Sequence, residues 1–201
     1  MVAAISTTHQ PPAQPENQQP EQLTLEEFLT LPPTEPESEY IKGKIYQKPM
    51  PQIEHSVIQL ELASKINQVA RPNKLAYAFP ELRCTFGGDA IAPDIVVLEW
   101  AKIPQSEDGK PQGKIDYAPD WIIEILSPDQ SPSRLINKIY TCINHGTKLG
   151  WLIDPARERV MIFQGDSIPE QRTAQDQLLA LEILDNWQLS AADLFSWLYV
   201  G

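Results

Sequence analysis

The chain has little cysteine, no long apolar run and, over its first 41 residues, no Lys or Arg at all. Each scarcity narrows the field. Its two cysteines, Cys84 and Cys142, are far apart and lack metal or redox spacing, so they are expected as buried free thiols of a cytoplasmic protein. No stretch of 18 apolar residues exists, so no membrane-spanning helix is expected. The opening residues show no charged segment followed by an apolar one, so no signal peptide is expected either. Three histidines, His9, His55 and His145, fall at no ligand-like interval.

Positive charge is scarce overall, and the formal net charge is −11. That argues against a surface built to bind nucleic acid non-specifically. The distribution weakens the objection. Residues 1–41 hold seven of the 27 acidic residues and none of the 16 basic ones, leaving 20 acidic against 16 basic residues in the other 160. Basic residues gather at Lys42, Lys44 and Lys48 and again at Lys102, Lys110 and Lys114. The first 22 residues, rich in Gln, Pro and Glu without apolar periodicity, read as a disordered tail, with residues 23–201 as one domain.

Within that domain the periodicities alternate between helix and strand. Thr24 with Glu27 predicts a capped helix from Thr24 to Leu31, stopped by Pro32-Pro33. A hairpin follows around Gly43, with strands near 39–41 and 44–47. Ile58, Leu62, Ile66 and Val69 at helical spacing predict a long amphipathic helix over 52–69. Strands are expected at 75–79, 82–86, 92–98, 121–126, 149–153, 159–164 and 178–183, and helices at 132–145 and 190–198. Residues 99–118 read as a polar, mobile loop. Strand–helix–strand order over 121–153 predicts an α/β fold, a mixed central sheet flanked by helices with an N-terminal hairpin.

Two carboxylates stand where burial costs energy. Asp94 lies in Ala92-Pro93-Asp94-Ile95-Val96-Val97-Leu98 and Glu124 in Trp121-Ile122-Ile123-Glu124-Ile125-Leu126. A carboxylate in such a run stays ionised only with a compensating partner or metal. Strand alternation puts Ile122, Glu124 and Leu126 on one face, and pairing of the two strands would bring the carboxylates together. On the helix that follows, Leu135, Ile136, Ile139, Tyr140, Cys142 and Ile143 form an apolar arc with Lys138 at its edge. Two carboxylates and an ammonium suit a hard divalent ion such as Mg²⁺, or Mn²⁺, with a phosphate ester. Blander readings stay open. A strand Glu is satisfied as well by a core Arg or backbone N–H groups, and a Lys at the edge of an apolar arc ordinarily reaches to water.

The motifs together resemble the Uma-type family of restriction endonuclease-like proteins within the PD-(D/E)XK nuclease superfamily. The resemblance runs from about Leu25 to Leu198. Glu39-Tyr40-Ile41-Lys42-Gly43-Lys44, His55, Ala92-Pro93-Asp94-Ile95-Val96, Ala118-Pro119-Asp120 through Ser127-Pro128, Lys138 with Tyr140, Leu149 to Pro155, and Ala192-Asp193-Leu194-Phe195 carry it. It implies a restriction-endonuclease-like fold and a Mg²⁺- or Mn²⁺-dependent endonuclease acting on DNA. Asp94 and Glu124 would be metal ligands, the Ile125 carbonyl a further one, and Lys138 the group that positions the attacking water. Position 126, where the superfamily carries its lysine, is Leu, so Lys138 on the next helix takes that place. Glu39 and His55 form a second tier, the first either near the metal or a solvated hairpin residue, the second either at a phosphate or a helix-capping group. A homodimer would match the two strands of a duplex. The alternative is a catalytically inactive nuclease-fold module that binds DNA or a protein partner, and a third reading makes the carboxylates structural ion pairs.

Overall fold

The computed structural model describes residues 23–128 and 130–199; the tail expected at residues 1–22 lies outside them. Helix α1 (Leu25–Thr30) opens on the expected capping box, Thr24 accepting from the Glu27 amide while Glu27 accepts from the Thr24 amide. Strands β1 (Ser38–Ile41) and β2 (Lys44–Gln47) form the hairpin, turned through Lys42 and Gly43 with φ of 50° and 78°. Helix α2 (Ile53–Ala70) buries Ile58, Leu62, Ala63, Ile66 and Ala70 along one stripe.

Four short strands make one sheet and six make the other. β4 (Cys84–Phe86) and β5 (Asp89–Ile91) join the hairpin in the order β2-β1-β5-β4. The larger sheet runs β10-β9-β8-β7-β6-β3, built from β3 (Ala76–Pro80), β6 (Ile95–Glu99), β7 (Trp121–Ile125), β8 (Leu149–Asp154), β9 (Arg159–Phe163) and β10 (Glu170–Thr173). Its β7–β8 pair is parallel and its other pairs are antiparallel. The parallel pair is joined by helix α3 (Pro132–Ile143), a βαβ crossover. The fold is therefore the mixed α/β architecture expected from the strand–helix–strand order.

Alternation along β7 divides the interior in two. Trp121, Ile123 and Ile125 face one core with α2 and α4 (Ala191–Ser196), where Trp121, Trp151 and Trp187 pack with ring centroids 4.8–6.2 Å apart. Ile122 faces a second core with α3, β4 and β5. Glu124 shares the Ile122 side, so its carboxylate is sealed under α3.

Several boundaries differ from the sequence expectations. The expected 92–98 strand is shorter, because Pro93 has no N–H to give a ladder and the chain there crosses from the small sheet to the large one. Asp94 consequently sits at a bend one residue before β6, and β5 is a separate strand. Residues 178–183 form no strand; Leu178, Leu181 and Leu184 cover the tryptophan core, and the sheet edge is the polar β10 instead. The 99–118 segment is anchored rather than free, since Ile103, Ile115 and Ala118 are buried and the Thr85 amide donates to the Ile115 carbonyl.

Gly150 in β8 is where α3 rests on the sheet. A Cβ added there would come within 2.4 Å of Ile139 Cγ2. Gly150→Ala is expected to cost about 1–3 kcal/mol through overpacking, read as a lowered urea midpoint with an unchanged slope. An unchanged midpoint would mean that α3 is not seated on β8 in this way.

Candidate active site

Three elements deliver charge to one point. The β1 strand brings Glu39, the bend before β6 brings Asp94, and β7 brings Glu124, all at most 2% exposed. Helix α3 brings Lys138, 3% exposed. Antiparallel pairing of β6 with β7, Ile95 opposite Ile123, places Asp94 level with Glu124. Lys138 Nζ lies 2.8 Å from Glu39 Oε1 and 2.8 Å from Glu124 Oε1. The two candidate carboxylates and the candidate amine thus meet in one buried cluster.

Asp94 is fixed on both oxygens. The Ile125 amide donates to Oδ2 at 2.7 Å, His55 Nε2 lies 3.1 Å from the same oxygen, and Lys48 Nζ donates to Oδ1 at 2.6 Å. Burial alone would raise this carboxyl, but the His55 contact and the Lys48 charge outweigh it and hold it well below the ordinary range. Lys48 itself is raised: burial opposes its charge, and the Asp94 and Glu124 carboxylates more than compensate.

Glu39 turns inward rather than to solvent. It accepts from the Ala92 amide at 3.0 Å and from Lys138, and Arg134 Nη2 stands 3.4 Å from its other oxygen. The hairpin residue therefore belongs to the cluster, and the solvated reading of Glu39 is corrected. His55, on the first turn of α2, likewise contacts Asp94 rather than serving as a cap; its Nδ1 has no hydrogen-bond partner among the described residues. His55 also lines a cavity of about 620 Å³ with Gln52, Ser127, Gln130 and Arg157, so the residue that touches Asp94 borders this space while Asp94, Glu124, Glu39 and Lys138 do not line it. The Ile125 amide, as distinct from its carbonyl, is the backbone group seen at Asp94.

Glu124 is the group left short. Its Oε1 lies 2.8 Å from Lys138 Nζ, and that ammonium, shared with Glu39, is its one partner among the described residues. Burial raises its carboxyl, Lys138 opposes, and the Asp94 and Glu39 charges add to the rise, leaving it at about 8. Lys138 is pulled the other way: burial disfavours its charge, but Glu124, Glu39 and Asp94 outweigh burial and keep it protonated. The inequality follows from placement: Asp94 has Lys48, His55 and the Ile125 amide, and Glu39 has Lys138, Arg134 and the Ala92 amide, whereas Glu124 has only the ammonium it shares with Glu39.

That shortfall of compensation at Glu124 is what an added cation would meet. The donors are hard carboxylate oxygens, suited to Mg²⁺ or Mn²⁺, and Glu124 is buried with a single shared ammonium as its partner among the described residues, so the residues fit such an ion. No set of three or more His, Cys, Asp or Glu side chains among the described residues could hold an ion by itself. The fit is thus to a two-carboxylate site completed by water and substrate oxygens, the way Mg²⁺ is usually held beside phosphates.

Lys48 was missed by the sequence reading, which grouped it only with Lys42 and Lys44 as a gathering of basic residues. The signal that could have found it is charge balance: with Glu39 in the cluster, one lysine is too few for three buried carboxylates. The free thiols are buried as expected, Cys84 being pushed up to about 12 by burial, and neither is bonded to the cluster. Among the described residues no helix is long and apolar enough to cross a membrane.

Comparison with known proteins places the family and the fold. Residues 25–192 match the Uma2 family, described as "Putative restriction endonuclease". No curated protein matches the chain. Among solved structures, a "putative nuclease belonging to DUF820" from Anabaena variabilis ATCC 29413 superposes with a TM-score of 0.85 at 48% identity, covering 88% of this chain and 99% of that one.

Proposed function

The chain belongs to the Uma2 family of restriction endonuclease-like proteins, and from that premise we propose that it hydrolyses DNA phosphodiesters at the Glu39–Asp94–Glu124–Lys138 cluster in a divalent-metal-dependent reaction. The observation that carries the reading is the convergence of these four side chains from four separate elements, each at most 3% exposed. A protein that had lost its chemistry would gain stability by replacing such charges with apolar residues.

In this reading Asp94 and Glu124 hold Mg²⁺ or Mn²⁺, with the Ile125 carbonyl as a further ligand. The bound ion would offset charge on the phosphoryl oxygens and acidify the attacking water. The remaining work belongs to the chain. The Ile125 amide and His55 keep Asp94 ionised and oriented. Glu39 anchors the Lys138 ammonium against the Ala92 amide, so that the ammonium orients the water and offsets negative charge growing on the phosphate. His55, facing both Asp94 and the neighbouring cavity, meets the phosphate as the backbone enters. A homodimer with one such site for each strand of a duplex is part of the same proposal.

The test is nicking of supercoiled plasmid in Mg²⁺ or Mn²⁺. Asp94→Asn is expected to lower the rate at least about a hundredfold, and EDTA is expected to stop it. Cutting that survives either treatment sinks the metal-dependent reading. One observation favours a second reading, a non-cleaving DNA-binding module: both Asp94 oxygens are already satisfied by protein groups. That module would bind DNA in a salt-sensitive way and cut it in no divalent metal.

A further inference from the structure

We propose that Lys48 is a built-in counter-ion that occupies the cation position on Asp94 and is displaced from it when a divalent ion binds. The inference rests on the metal-dependent reading above and deepens it by naming what guards the site.

The two Asp94 oxygens are used differently. Oδ2 is held by the Ile125 amide and His55, groups of the fixed scaffold, whereas Oδ1 receives Lys48 alone among the described residues. Lys48 also donates to the Ala92 carbonyl at 3.1 Å and reaches Glu81 Oε1 at 3.4 Å. Its side chain is 7% exposed while that of Glu81 is 50% exposed, so its third contact points outward. An ammonium is a compact charge on a flexible stem, and withdrawal toward Glu81 would free Oδ1 without disturbing the orientation of Asp94. Lys138 has no such exit. Its contacts are Glu39 and Glu124, both 1% exposed.

The placement of Lys48 on the chain agrees. It follows directly on β2, three of whose four residues are exposed, so it is attached to the least buried strand of the small sheet. With Lys48 on Asp94 the pocket stays nearly neutral and folded without an ion. With an ion in place the same ammonium would be a like charge a few ångströms away, and repulsion would send it to Glu81.

Competition of this kind is read by metal binding itself. Lys48→Met is expected to tighten Mn²⁺ binding by about tenfold or more, measured by titration calorimetry on the full chain. Without metal, Lys48→Met should melt below the wild type, because Asp94 loses its neutraliser; saturating Mn²⁺ should close the gap. Glu81→Gln, at an exposed position, should weaken Mn²⁺ binding several-fold by removing the place to which Lys48 withdraws, and it serves should Lys48→Met fail to fold. Equal or weaker Mn²⁺ binding by Lys48→Met, or no effect of Glu81→Gln, overturns the role given to Lys48 and leaves the nuclease reading standing. Failure of the wild type to bind Mn²⁺ at all overturns both.

Discussion

Lys138→Met is expected to cost the protein about 3–5 kcal/mol of stability, the penalty for removing one partner of a buried ion pair. Methionine keeps most of the volume of the lysine stem, so the loss is electrostatic rather than a cavity. What remains is Glu39, 1% exposed, without the ammonium that lies 2.8 Å from it, beside Glu124, whose carboxyl at about 8 already holds its proton for the most part at pH 7. Neutralising the partners should recover most of the loss: the triple variant Lys138→Met, Glu39→Gln, Glu124→Gln removes the stranded Glu39 charge along with the cation. Urea titrations at pH 7 on the wild type, the single and the triple variant measure this, read as midpoints with constant slope. A cost below about 1 kcal/mol for the single variant would show that the cluster is hydrated or uncharged, against the geometry. The same series separates folding from chemistry, since the stable triple variant should still leave supercoiled plasmid uncut.

Much of this cluster was legible in the sequence because it is written in local periodicities. The period of two along β7 puts Glu124 on the Ile122 face, and the period of 3.6 along α3 puts Lys138 beside Cys142. Both patterns survive into the structure, where Ile122, Ile139 and Cys142 share one core. The parts that were not legible depend on contacts that no local pattern records. Glu39 finds its partners at Ala92 and Lys138, 53 and 99 residues along the chain, so nothing near it distinguishes a core carboxylate from a solvated one. Lys48 meets Asp94 across 46 residues and looks, locally, like any lysine leaving a hairpin. Strand errors have a related cause. Leu178–Ile183 is apolar because it covers the tryptophan core, with the Leu179 carbonyl accepting from Trp151 Nε1. In contrast, β10 is Glu-Gln-Arg-Thr, an edge strand paired with β9 alone and carrying no buried alternation to find.

Glu124 should make the metal-free protein less stable as pH rises from 5 to 8. Its carboxyl stands at about 8 in the folded chain against an ordinary 4.5, so the folded state binds that proton more tightly than the unfolded state does. The resulting stabilisation is complete below the unfolded value and is lost as pH climbs through the folded one. Other members of the cluster act elsewhere. Asp94, held low by His55 and Lys48, contributes stability that fades as pH falls below its ordinary range. Lys138, held protonated by three carboxylates, contributes stability lost only above the ordinary lysine range. Glu124's share of the slope between pH 5 and 8 is the part that Glu124→Gln removes, and at about 1.4 kcal/mol per pH unit for one proton that share should amount to roughly 2–4 kcal/mol across the window. Glu124→Gln removes this titrating group, so its urea midpoint should fall less than that of the wild type over the same range and exceed it at pH 8. If the wild type is flat instead, and Glu124→Gln is weaker at every pH, then Lys138 alone suffices to hold Glu124 ionised. Glu124 would then be an ordinary ion-pair partner of Lys138, and the part of the case for a metal that rests on a poorly compensated Glu124 would fall with it.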